Sequence, residues 1–133
     1  MVLKISKMDP LNNSQLVHEH NSLKLKMEHF KQENVLLKYR LSKIVDDNEG
    51  KKFLEKAEDF QNELIIIDVL LEKLFNELEK FSRSLLENKN GKLLHEGVAA
   101  DYNKLKKSFV YFEDKFLSLS KEFNEKMLEN FSH

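Results

Sequence analysis

Apolar residues in this chain recur in alternating steps of three and four, and they do so along three separate segments. The first stripe runs Leu16, His20, Leu23, Met27, Phe30, Asn34, Leu37, Leu41, Ile44. The second runs Phe53, Ala57, Phe60, Leu64, Ile67, Leu71, Leu74, Leu78, Phe81, Leu85. The third runs Val98, Tyr102, Leu105, Phe109, Phe112, Phe116, Leu119, Phe123, then slips one place to Met127 and Phe131. A spacing near 3.5 keeps a stripe on one face of an α-helix, whereas a strand needs a period of two. Each segment therefore reads as a long amphipathic helix.

Two breaks separate them. The first stripe extrapolates past Ile44 to residue 51, yet the second begins at Phe53. A slip of two matches neither of the insertions that continuous coiled coils absorb, so the chain is expected to turn at Asp46-Asp47-Asn48-Glu49-Gly50. The second break holds Asn90-Gly91, a strong turn dipeptide. Asp9-Pro10 sets a capping carboxylate ahead of a proline suited to a first helical turn, with Asn13 or Ser14 as later alternatives. Gly97 leaves two starts open for the third helix, near Lys92 or near Val98. The expected organisation is an N-terminal extension over 1–9 and one domain over 10–133, with helices at about 10–46, 51–88 and 93–131. Short connections make neighbours antiparallel. The fold class that follows is all-α: an antiparallel up-down-up three-helix bundle with coiled-coil-like packing.

Composition agrees with this and removes several functions. With 34% charged residues, only 3 Gly and 1 Pro, little punctuates a many-stranded sheet. The absence of Cys excludes disulfides, thiolate metal sites and Cys nucleophiles. No Gly-x-Ser-x-Gly elbow and no glycine-rich phosphate loop occurs, so the chain is expected not to be an enzyme and to need no cofactor. Its longest apolar run, Leu64–Leu71, is broken by Asp68 and falls short of the roughly 20 residues of a membrane span. Met1–Lys7 has no apolar core of signal-peptide kind, and a cytoplasmic protein without membrane partners is expected.

Metal and nucleic-acid readings are weak. His29 and Glu33 form an i,i+4 pair able to share a metal ion, and they are the candidate pair for a metal- or ligand-binding bundle. No histidine has a Glu three residues before it, so the Glu-x-x-His motif of carboxylate-bridged bundles is missing. Lys104, Lys106 and Lys107 beside Tyr111, and Lys24, Lys26 and Lys31, are interrupted by acids, and Arg is confined to Arg40 and Arg83. Leucines spaced as in a zipper precede no basic region, since Leu11–Gln15 is uncharged. With a net charge of -1, no nucleic-acid partner is expected.

The helix faces are more informative. His20 and Asn34 are polar positions on the first seam, and a buried Asn there can set register and oligomer state. The second segment carries Ile65, Ile66, Val69, Leu70 and Phe75 beyond its seam, and a three-helix bundle covers the seam and its flanks but hardly Ile66 and Val69, which face away from it. These five residues are the expected interface of a self-associating, non-enzymatic interaction protein. A homodimer is the expected assembly, with another helical protein as a further partner, and Asp68 in the patch then needs a cation, for which Lys73 is nearest.

Overall fold

The computed structural model describes residues 13–47, 50–87 and 96–128. Among these residues it has three α-helices and no strand: α1 over Asn13–Asp46, α2 over Lys51–Glu87 and α3 over Glu96–Phe123, followed by one π-helical turn, Asn124–Leu128. At 1.5 Å per residue, the 34, 37 and 28 residues correspond to rods of about 51, 56 and 42 Å. The expected first turn at 10–12 and the stretch around 88–95 lie outside the described residues, as does Phe131.

One helix ends and the next begins where the stripe slips, with residues 48 and 49 outside the described ones. Asp47 N donates to Ile44 O as α1 ends, and the Gly50 carbonyl accepts from Leu54 N (2.9 Å), which makes Gly50 the N-cap of α2. Gly97 sits in the first turn of α3, so the helix starts ahead of Val98.

The three stripes are the core. All described residues of the third stripe are buried, from Val98 to Met127, and so is the second from Ala57 to Leu85. Phe53 at its head is half-buried and packed against this core. The first stripe is buried throughout apart from His20, which is half-buried.

The one-place slip at Met127 has a structural counterpart. A π turn takes one residue more than an α turn. It therefore brings Met127 inward, fully buried, where continued α-helix would have turned Lys126 to the core.

α1 packs closely on α2, and α2 on α3. Across the α1–α3 side, bulky groups make the contact: the Phe30 ring meets Phe109, Phe112 and Phe116 at 6.0, 5.5 and 5.3 Å. Phe81 lies against both His20 (5.9 Å) and Tyr102 (5.6 Å), and Phe60 meets Phe123 edge-on at 5.7 Å. Offset and edge-on pairs of this kind add stabilisation beyond the area they bury.

Candidate functional site

Two features stand out from the packed stripes: a polar cluster between α1 and α2, and the outer face of α2 beside it.

The cluster is centred on Asp68. Asn34, only 2% exposed, donates from Nδ2 to Asp68 Oδ1 at 2.7 Å, and Lys38 Nζ donates to Asp68 Oδ2. An ionised carboxylate only accepts, so the amide must turn its NH2 toward it. This leaves Asn34 Oδ1 buried and without a hydrogen bond among the described residues. Asp68 is thus paired within the chain, by Lys38 from the neighbouring helix. Lys73, the cation nearest in sequence, is not that partner: a residue five places along a helix points away around the axis, whereas Lys38 faces Asp68 across the α1–α2 groove. The two polar seam positions part company. Asn34 is a true core residue, while His20 sits at the edge, its ring against Phe81 and its Nδ1 beside Asn21 Oδ1 at 3.1 Å.

The outer face of α2 is apolar at its midpoint. Ile65, Ile66 and Val69 are 51%, 43% and 59% exposed although the stripe beneath them is closed. Leu70 and Phe75, grouped with them from sequence, instead lie half-buried against the core. Leu70 lines the α2–α3 groove with Tyr111, and Phe75 lies under the Lys31 ammonium, 5.8 Å from its ring centre. The patch is therefore narrower than the five residues suggested. α1 exposes a comparable trio, Val35, Leu36 and Tyr39.

A second polar contact links α1 to α3. The Tyr102 hydroxyl donates to Glu19 Oε1 (3.2 Å) and accepts from Lys106 Nζ (3.4 Å). Burial raises the phenol above its ordinary value of 10.0, Lys106 opposes that shift, and the Glu19 carboxylate adds to it. Ser84 also donates to Asp101, tying α2 to the start of α3 at 2.7 Å.

The metal candidates gain no company. His29 is exposed and edge-on to Phe30, Glu33 is half-buried, and among the described residues no group of three or more His, Asp or Glu side chains converges on one point. The concavities between helices are open grooves; the one at the α1–α2 turn has an apolar floor of Leu41, Val45, Leu54, Ala57 and Leu64. No described helix is long and apolar enough to cross a membrane. The Asn34–Asp68–Lys38 cluster escaped sequence reasoning. The available signal was that Asn34 and Asp68 each interrupt an apolar stretch, and only the pairing of the two helices brings them together. Compared with protein-family models, curated proteins and solved structures, the chain matches none.

Proposed function

We propose that this chain is a non-enzymatic interaction protein, an antiparallel up-down-up three-helix bundle that self-associates as a dimer through the outer face of α2. The antiparallel reading is supported by the order of contacts. His20 meets Phe81, Asn34 meets Asp68, and Leu41 and Val45 share a groove with Leu54 and Ala57. Rising numbers on α1 thus go with falling numbers on α2. Phe81 with Tyr102 and Phe60 with Phe123 follow the same rule between α2 and α3. The stripes of three- and four-residue steps support coiled-coil-like packing within the bundle.

The observation that carries self-association is the exposure of Ile65, Ile66 and Val69 within one turn at the middle of α2. Singly exposed aliphatics are ordinary, but clustered ones over a closed core gain free energy by covering one another. Burying about 800 Å² per partner along α2 would make an interface of standard size. A dimer is the simplest closed assembly, and another helical protein could use the same face.

Light scattering tests this on the wild type and on Ile66→Glu combined with Val69→Lys. The expected result is a wild-type dimer at about 100 μM that the double change splits into folded monomers. A monomeric wild type, or a double variant that unfolds outright, overturns the proposal, the second because it would show this face to be core.

A further inference from the structure

The outer row of α2 reads Glu55, Asn62, Val69, Asn76, Arg83 at every seventh residue, and all five are exposed. The row is antisymmetric about Val69. Asn62 and Asn76 are equidistant from it, and so are Glu55 and Arg83, with opposite charge. Two further exposed pairs follow the rule, Glu58 with Lys80 and Lys51 with Glu87, whereas Asp59 and Glu79, ten places either side of Val69 and off the outer row, are both acidic. Residues seven apart lie on nearly one line along a helix. A two-fold axis running between two copies of α2 at the level of Val69 would therefore lay each charge of this row on one copy against its opposite on the second.

We infer that α2 of one copy packs antiparallel against α2 of a second copy, about a two-fold axis at the level of Val69, with Glu55 facing Arg83 and Asn62 facing Asn76. This rests on the self-association proposed above and specifies its geometry. At the centre Val69 meets Val69, and Ile65 and Ile66, four and three places before it, lie level with Lys73 and Glu72 of the second copy, whose aliphatic stems cover them. The charged arms select orientation: a parallel pair sets Glu55 against Glu55 and Arg83 against Arg83, which repels at both ends. Arg83 already touches Glu79 one turn back (3.4 Å) at a solvent-exposed contact, which leaves its guanidinium donors to spare for a second carboxylate. The competing face on α1 lacks this code. Its outer row His18, Leu25, Gln32, Tyr39, Asp46 ends in an acid and carries no Lys or Arg. A second copy of α2 is thus the occupant whose charge pattern fits.

The absence of native Cys makes the orientation directly measurable. Asn62→Cys and Asn76→Cys are prepared separately and oxidised alone and mixed. In the antiparallel pair, position 62 and its own copy stand 14 residues apart in register, about 21 Å, beyond disulfide reach, while 62 and 76 are opposed. The expected result is a disulfide in the mixture and in neither variant alone. Charge exchange adds a readout free of cysteine. Glu55→Arg and Arg83→Glu should each weaken the dimer about tenfold, because two symmetric pairs become repulsive, and the double variant should recover wild-type affinity. Self-linking of the single cysteines, a dimer without any cross-link, or no recovery in the double variant each overturns this geometry and leaves self-association standing. No dimer in the wild type removes the underlying proposal itself.

Discussion

Replacing Asn34 with Leu should stabilise the fold, and the size of the gain follows from what each partner keeps. Asn34 is 2% exposed and gives one hydrogen bond, to Asp68 Oδ1, while its own Oδ1 accepts none among the described residues. A buried carbonyl oxygen left so costs about 1–3 kcal/mol. Leu removes that cost and adds a buried aliphatic side chain, worth about 1.5–3 kcal/mol. Against this stands the lost bond to a charged acceptor, about 1.5–3 kcal/mol in a dry site. The site is not dry for Asp68. Its side chain is 43% exposed and retains Lys38, so water replaces the amide and the loss falls to about 1 kcal/mol. The net expectation is a gain of about 3 kcal/mol. Urea unfolding at fixed protein concentration checks it: with a slope near 2 kcal/mol/M, the midpoint should rise by about 1.5 M. A midpoint below that of the wild type would refute the reasoning and show that the Asn34–Asp68 bond outweighs apolar packing. A gain in stability accompanied by new oligomers would show what the buried amide is kept for, since a polar seam residue excludes alternative pairings at a cost in stability.

Phe116→Ala should cost about 3–5 kcal/mol, because its buried ring meets Phe30 and Phe112, whereas Tyr111→Ala, at a site 60% exposed, should cost less than about 1 kcal/mol; equal losses in denaturant titrations would mean that α3 is rotated from the orientation described. Tyr102 gives a pH signature. Its folded-state value is raised above the ordinary 10.0, so its contribution is complete below that pH and is lost as pH rises through the higher folded value. Between about pH 8 and about pH 11, Tyr102→Phe should therefore lose less stability than the wild type, and identical losses would remove Tyr102 from the account.

Much of this architecture is written in local periodicity. Steps of three and four dictate helix and nominate the inward face residue by residue, because turn geometry is intrinsic to each segment and the apolar side must leave water whatever it packs on. The slip to Met127 is visible in the sequence as a one-place shift of the stripe, but only the backbone shows that a π turn takes it up. The candidate surface is legible in its centre, Ile65, Ile66 and Val69, for the same reason: these residues lie opposite the seam. What periodicity does not encode is the neighbour. Leu70 and Phe75 sit at the edges of the stripe, and whether an edge residue is wet depends on how near the adjoining helix comes. Asp68 found Lys38 and Asn34, residues 30 and 34 places away, because the register between α1 and α2 is set by the summed fit of the whole interface and not by any short stretch of chain. Helices and their inward faces belong to the sequence alone; which side chain on one helix meets which on the next is decided only when the three are packed together.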